Sequence, residues 1–160
     1  MPVSIVVFGV SGCGKSTVGQ LIADRMKIPF FDADDFHPDS SVVKMKSGIA
    51  LSDQDRKPWL ERLSELLKEN PDGSVLACSA LKNAYREILR GCDLEIRFVH
   101  LSGEFDLILK RMVARDHFMP TSLLENQFST LEPEPEAFEI SIKNTPESIA
   151  DRVIQWLKTE

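Results

Sequence analysis

The sequence predicts an α/β fold in which helices cover both faces of a five-stranded parallel sheet. The 160 residues suit one domain, and short apolar runs alternate with helical patterns along the whole chain. The first, third and fourth apolar runs are almost continuously hydrophobic, which is typical of parallel strands buried on both faces. With right-handed crossovers, this pattern predicts three layers, helix, sheet and helix.

Five runs rich in β-branched or aromatic residues have the length of strands. In chain order they are SIVVFGV (4–10), PFFDA (29–33), SVLACSA (74–80), EIRFVHL (95–101) and AFEISI (137–142).

Helical periodicity appears in residues 58–70, 104–115 and 145–158. Pro58 suits the first turn of the first helix, and Thr145 before Pro146 predicts an N-cap for the third. The apolar faces comprise Trp59, Leu60, Leu63, Leu66 and Leu67 in the first helix, Phe105, Ile108, Leu109 and Met112 in the second, and Ile149, Val153 and Leu157 in the third.

Two segments interrupt the alternation, residues 38–56 and 116–135. In a compact domain, connections of this length are more often binding elements or lids than idle loops. We therefore expect both segments to border a ligand site.

Composition and charge exclude several classes of function. A formal net charge of −6 argues against binding to a nucleic-acid backbone. No apolar run reaches the length of about 18 residues that a membrane span needs. The three cysteines form no CxxC pair, so we expect free thiols in a reducing compartment. Because the N-terminus also lacks a basic leader, we expect a cytoplasmic protein.

The stretch GVSGCGKST matches the phosphate-binding motif GxxxxGK[ST], and it lies between a predicted strand and a predicted helix, as the motif requires. Its backbone N–H groups would converge on phosphate oxygens, Lys15 would reach the β- and γ-phosphates, and Ser16 would bind Mg²⁺. A chance glycine-rich turn is the alternative, and the flanking elements favour the site. We therefore predict that ATP is bound by Gly9, Val10, Ser11, Gly12, Cys13, Gly14, Lys15, Ser16 and Thr17.

Cys13 lies inside this loop, where a helix N-terminus would favour a thiolate and a redox role. With no partner cysteine near in sequence, a small residue filling a loop position is the favoured interpretation.

Acidic residues follow the second strand rather than a later one. SVLACSA ends without an acid and no NKxD motif follows, which argues against motor ATPases and GTPases. Asp32 and Asp34 are two residues apart, so an extended strand end would turn both towards the ligand crevice. Asp32 would then hold Mg²⁺ or its water, and Asp34 would orient and deprotonate an acceptor hydroxyl. Capping of the next helix is the alternative, and for Asp35 the two interpretations are evenly balanced.

Basic residues are predicted on the other side of the site. Arg111 and Arg115 are four residues apart on one helix, just before residues 116–135, where they could neutralise a transferring phosphoryl group. An ordinary solvated helix face is the alternative. Cations in or after the other loops could meet an anionic substrate, although each alone is more typical of a surface: Lys44, Arg56, Lys82 and Arg86.

Six motifs together resemble the gluconokinase family: GVSGCGKST, DADDFHP, KMKSGIALSDQDRKPWL, ACSALKNAYREILR, FVHLSG and HFMPTSLLENQFSTLEP. The resemblance implies a P-loop NTPase-type domain over residues 1–160, similar to shikimate kinase, with residues 38–56 on the substrate side and 116–135 as a mobile lid. It implies ATP- and Mg²⁺-dependent phosphorylation of D-gluconate at the 6-hydroxyl, giving 6-phosphogluconate and ADP.

The resemblance also implies roles for individual residues. Asp32 would be the magnesium-side acid, Asp34 the acceptor-hydroxyl residue, and Arg111 and Arg115 the lid arginines. KNTPE (143–147) would lie near adenine, and family members commonly form dimers. The residues implied to hold the polyol and carboxylate are Asp34, His37, Lys44, Arg56, Ser79, Lys82, Arg86 and Gln127.

The chain departs from the family pattern at three places: Ser41 replaces asparagine, Ala50 replaces proline, and the spacing from Arg115 to His117 is one residue shorter. Two alternatives to a gluconate kinase stay open: a kinase for a related acceptor, such as another aldonic acid or shikimate, and a nucleotide-gated binding or regulatory protein that has lost transfer activity. The second is disfavoured because the acceptor-side aspartate is present.

Overall fold

A computed structural model describes residues 3–114 and 121–159. Its five strands form one sheet in the order β2-β3-β1-β4-β5, and every neighbouring pair is parallel. The strands are β1 (Ser4–Phe8), β2 (Phe30–Asp32), β3 (Ser74–Ala77), β4 (Ile96–Ser102) and β5 (Phe138–Ser141). The predicted five-stranded parallel sheet is confirmed.

Helices lie on both faces of the sheet. They are α1 (Lys15–Met26), α2 (Asp39–Lys46), α3 (Asp53–Lys68), α4 (Asn83–Arg90), α5 (Phe105–Ala114), α6 (Thr121–Thr130) and α7 (Pro146–Thr159), and a 3₁₀ helix spans Ala33–Phe36. Within the described ranges, none of these helices is long and apolar enough to span a membrane.

The side chains of β1 pack alternately into two separate hydrophobic cores, one on each face of the sheet, which confirms the three-layer prediction. Ile5 and Val7 are fully buried in a core shared with α1, α5 and α7. Val6 and Phe8 point to the opposite face, into a core shared with α3 and α4. Because side chains alternate along a strand, this central strand is hydrophobic at every position.

The third helix starts earlier than predicted. The Ser52 side chain accepts from the Asp55 N–H and the Asp55 carboxylate accepts from the Ser52 N–H, so a capping box fixes the start of α3 at Asp53. The placement of Pro58 in the first turn is therefore wrong, and this proline lies one turn further inside the helix. At α7 the prediction is confirmed, since the Thr145 hydroxyl accepts from the Ser148 N–H at 3.2 Å.

Both predicted excursions contain helices. Residues 38–56 include α2 and the first turn of α3, and the described part of 116–135 contains α6. α6 packs against α5 through fully buried Leu124 and through an edge-to-face contact between Phe105 and Phe128. Apolar side chains spaced for one helix face thus order a segment that the sequence pattern left without structure.

Candidate active site

The phosphate loop connects β1 to α1 at the carboxyl edge of the sheet. Gly9 and Gly12 have φ of 151° and 81°. A Cβ at Gly9 would lie 2.8 Å from the Leu101 carbonyl oxygen, and one at Gly12 would lie 2.7 Å from a Met112 side-chain carbon. Only glycine suits either position, because both the backbone angle and the available space exclude a side chain.

Lys15 begins α1 and bends back across the loop. Its Nζ donates to the carbonyl oxygens of Gly9 and Val10, at 3.1 Å each. The ammonium group also lines a cavity of about 810 Å³ that opens at the carboxyl ends of the strands. A cation at the N-terminus of a helix creates an anion site at the end of this cavity.

Ser16 and Asp32 form a paired set of oxygen donors beside Lys15. The Ser16 hydroxyl donates to Asp32 Oδ2 at 2.7 Å, and Asp32 Oδ1 accepts from the Asp34 N–H at 3.0 Å. A hydroxyl and a carboxylate fit the oxygen coordination of Mg²⁺, which usually retains water and phosphate ligands as well. Among the described residues, no group of three or more His, Cys, Asp or Glu side chains could hold a metal ion.

Asp34 reaches the same cavity as Asp32 by a route that differs from the prediction. The strand ends at Asp32, and Asp34 lies in the first turn of the 3₁₀ helix rather than on an extended strand end. Asp32 does cap this helix, so capping and site roles coincide there. Both carboxylates line the cavity, whereas Asp35 lines neither cavity described here.

The surroundings of Asp34 keep it ionised. His37, whose Nε2 lies 3.8 Å from Asp34 Oδ1, does most to hold the pKa of Asp34 below its usual value. Burial opposes this shift, and the positive charge of Lys15 reinforces it. An ionised carboxylate beside the phosphate loop can accept a hydrogen bond, and then a proton, from a hydroxyl.

His37 and Trp59 form one rigid wall of the cavity. Their rings stack with centroids 4.2 Å apart, and Trp59 Nε1 donates to the Ala33 carbonyl oxygen at 2.7 Å. The His37 side chain is only 6% exposed, and its buried Nδ1 has no hydrogen-bond partner among the described residues. The imidazole of this cavity-lining residue therefore has a buried polar atom without a partner.

The residues predicted on the acceptor side differ in where they lie. Arg56 and Ser79 line the large cavity. Lys44 and Lys82 do not line it, because each is paired with a carboxylate of the first turn of α3. Lys44 lies 2.9 Å from Asp55 Oδ1, and Lys82 lies 3.0 Å from Asp53 Oδ1.

The interpretation of Arg86 as a substrate ligand is corrected. This residue is fully buried, and its guanidinium group donates to the carbonyl oxygens of Ala80, Leu81, Glu132 and Pro133. It also lies over the Phe8 ring, 4.5 Å from the centroid. Arg86 therefore links residues 80–81 to residues 132–133, and its guanidinium group is not accessible to a substrate.

Gln127 contacts the phosphate loop directly. Its Oε1 accepts from the Ser11 N–H at 2.7 Å, and its Nε2 donates to the Ser11 hydroxyl at 3.1 Å. Gln127 also lines the large cavity, so α6 borders both the loop and the predicted acceptor space.

Of the two predicted lid arginines, Arg111 is described and Arg115 lies outside the described residues. Arg111 donates to the Ile142 carbonyl oxygen at 2.8 Å and lines the large cavity.

A second cavity, of about 300 Å³, lies on the other side of the phosphate loop. Gly12, Gly14, Thr17 and Arg111 line both cavities. The far wall of the second cavity is formed by Lys143, Asn144, Thr145 and Pro146. That KNTPE lies near adenine stays a prediction. Cys13 also lines this cavity, and because burial raises the pKa of this thiol, its role as a loop filler is favoured.

Sequence reasoning missed most of the apolar lining of the large cavity. The sequence pattern places Trp59 on a core face and predicts no individual roles for residues 45–51. Met45, Ile49, Ala50, Leu51 and Leu123 line the cavity, as does Asn126. Apolar residues within a polar segment, such as the exposed Ile49, are the feature that could have predicted this lining.

Comparison with known proteins gives the same picture. Residues 11–158 match the family model for shikimate kinase. The chain is 42% identical to a gluconokinase of Arabidopsis thaliana, over 96% of this chain and 91% of that protein. It is 44% identical to a probable gluconokinase of Rattus norvegicus, over 98% of each. A crystal structure of a gluconokinase from Sinorhizobium meliloti superposes with a TM-score of 0.88 at 39% identity, covering 99% of this chain and 97% of that one.

Proposed function

We propose that this chain, which belongs to the gluconokinase family of P-loop kinases, transfers the γ-phosphoryl group of ATP to the 6-hydroxyl of D-gluconate. The products would be 6-phospho-D-gluconate and ADP. One observation carries the proposal: an ionised carboxylate, Asp34, faces the same cavity as Lys15 and the Ser16–Asp32 pair. A phosphate site and a proton acceptor in one cavity are what transfer to a hydroxyl needs.

The two cavities suggest how ATP would lie. Adenine would occupy the smaller cavity against residues 143–147, and the phosphates would follow the loop into the larger one. Lys15 would exchange the carbonyl oxygens of Gly9 and Val10 for phosphate oxygens, which are stronger partners for an ammonium group.

Ser16 and Asp32 would hold Mg²⁺, which when bound neutralises charge on the phosphate oxygens. The hydrogen bond of 2.7 Å between them supports this proposal, because two oxygens at that distance could bind one ion. The hydrogen bond that Asp32 Oδ1 accepts from the Asp34 N–H would help to orient the carboxylate towards the ion.

Asp34 would act on the acceptor. Its carboxylate accepts a hydrogen bond from the 6-hydroxyl and takes the proton as the new oxygen–phosphorus bond forms and the bond to ADP breaks. His37 and Trp59 confine the polyol from one side. The acceptor carboxylate would be bound by Arg56, which lines the cavity.

Several assignments stay proposals. Arg111 and Arg115 would neutralise the transferring phosphoryl group, and Ser79 and Gln127 would contact the acceptor. Lys44 and Lys82 could do so only after leaving their carboxylate partners. A cytoplasmic location, a homodimer and the absence of a nucleic-acid partner are likewise proposed on the family resemblance and the charge of −6.

Release of ADP from Mg-ATP in the presence of a panel of sugar acids tests the proposal. We expect release with D-gluconate, and release only with a different acid would assign another substrate. Binding of ATP without any acceptor-dependent release would favour the regulatory alternative. Asp34→Asn should abolish transfer and leave ATP affinity nearly unchanged, whereas Asp35→Asn, a matched neighbour outside the cavity, should turn over normally.

A further inference from the structure

Tyr85 links the cavity wall to a carboxylate outside the cavity. It lies on α4, 6% exposed, with its ring in the core between α3 and the sheet. Its hydroxyl group extends from that core to the first turn of α3, where it contacts both Asp53 and Arg56.

Arg56 is held by one terminal nitrogen. Nη1 donates to the Leu51 carbonyl oxygen at 2.8 Å and to the Tyr85 hydroxyl at 3.3 Å. The guanidinium carbon lies 5.7 Å from the centroid of the Tyr85 ring. Among the described residues no hydrogen bond involves Nε or Nη2 of Arg56, so this pair of donors is free for a planar carboxylate.

The direction of the hydrogen bonds is fixed by charge. The Tyr85 hydroxyl donates to Asp53 Oδ1, which leaves its oxygen to accept from Arg56. That hydrogen bond, more than the neighbouring Lys82, holds the pKa of Asp53 below its usual value, while burial raises the pKa of Tyr85. Tyr85 therefore stays protonated and Asp53 stays ionised across the neutral range.

Lys82 completes the arrangement from the solvent side. Its Nζ lies 3.0 Å from Asp53 Oδ1 and 5.6 Å from the Tyr85 ring centroid. Among the described residues, the side-chain hydrogen bonds of Asp53 go to Tyr85 and Lys82, and Asp53 interacts with Arg56 through charge alone. The chain of contacts from Lys82 through Asp53 and Tyr85 ends at a cation that faces the cavity.

We propose that Tyr85 is a positioning residue that holds the Arg56 guanidinium group ready for the carboxylate of the acceptor. The preference for a sugar acid over a neutral polyol then depends on the Tyr85 hydroxyl, although this group touches no substrate. The inference rests on the proposed function, because it assumes an anionic acceptor in the large cavity.

The test is the dissociation constant of D-gluconate, and of its neutral analogue D-gluconamide, measured by calorimetry on Tyr85→Phe. The substitution keeps the ring and removes only the hydroxyl. We expect the Kd of D-gluconate to rise roughly five- to tenfold, as for loss of one ordinary hydrogen bond, with the Kd of D-gluconamide unchanged. Equal effects on both ligands, or no effect on either, would overturn the proposal.

A double-mutant cycle separates positioning from general damage. In an Arg56→Met background, Tyr85→Phe should weaken D-gluconate binding no further, because its effect acts through Arg56. If the effects of the two substitutions on the free energy of D-gluconate binding were fully additive, Tyr85 would not act through Arg56. Ala84→Ser, exposed on the same helix, is the control and should leave both dissociation constants unchanged.

Turnover distinguishes failure of this inference from failure of the proposed function. We expect the KM for D-gluconate to rise in Tyr85→Phe while kcat stays within about twofold of the wild-type value, since the chemical step does not involve Arg56. Wild-type protein that binds D-gluconate but does not phosphorylate it would contradict only the proposed function. Wild-type protein that binds D-gluconamide as tightly as D-gluconate would contradict the inference.

Discussion

Replacement of Arg86 by methionine should destabilise the protein strongly without acting on the substrate. The Ala80, Glu132 and Pro133 carbonyl oxygens would lose a charged donor, whereas the Leu81 oxygen keeps the Glu132 N–H at 2.8 Å. Loss of three hydrogen bonds from this charged donor at about 1 kcal/mol each, together with loss of a cation–π contact of about 1 kcal/mol, gives a total of about 3–5 kcal/mol. That is a large share of a typical stability of about 5–15 kcal/mol.

Urea unfolding followed by tryptophan fluorescence measures this loss. Arg62→Met is the matched control, because Arg62 pairs with Glu69 at 3.2 Å on the surface and should cost less than about 1 kcal/mol. Arg86→Lys should recover under half of the loss, since an ammonium group cannot reproduce the guanidinium fork. An Arg86→Met protein that unfolds like wild type but has a raised KM for the acceptor would refute this reasoning and restore the substrate role.

Two further predictions concern the capping box and the contact between α6 and the phosphate loop. Hydrogen bonds from the Ser52 N–H, which is the larger cause, and from Lys44 lower the pKa of Asp55 to about 2. The ionised Asp55 carboxylate therefore stabilises the fold fully above its unfolded pKa of about 4, and this stabilisation is lost as the pH falls towards the folded pKa. Asp55→Asn should lower the midpoint of urea unfolding at neutral pH. The difference in midpoint between this variant and the wild type should vanish as the pH falls towards the folded pKa of about 2, and a difference that does not change with pH would contradict this. Gln127→Ala should raise the KM for ATP about three- to fivefold, because it removes both contacts to the phosphate loop. The control is Ser129→Ala, an exposed position on the same helix, which should leave the KM unchanged. An unchanged KM for Gln127→Ala would argue against a role for this contact.

The sheet and the phosphate loop could be predicted because local patterns determine them. Strands buried on both faces, such as Ser4–Phe8, are hydrophobic at every position, and the glycines of the loop have a fixed spacing. The pairing of Ser16 with Asp32 also followed from topology, since parallel strands end at one edge of the sheet.

The acceptor side was harder to predict because its side chains are placed by long-range contacts. Nothing local distinguishes the buried Arg86 from the cavity-lining Arg56, and only the fold shows which carbonyl oxygens surround the first. The pairing of Lys82 with Asp53 joins residues 29 positions apart, and the contact from Gln127 to the phosphate loop spans 116. Spacing arguments do not reach such distances, so Tyr85 was recognised only as part of a family motif.

The position of the phosphate on the product tests the central claim most directly. Wild-type protein is incubated with Mg-ATP and D-gluconate carrying ¹³C at C6, and the product is examined by ³¹P and ¹³C NMR. The account predicts one phosphate monoester coupled to C6, formed in equal amount with ADP, and its absence with Asp34→Asn. A phosphate on any other carbon, or ADP formed at the same rate without D-gluconate, would contradict it.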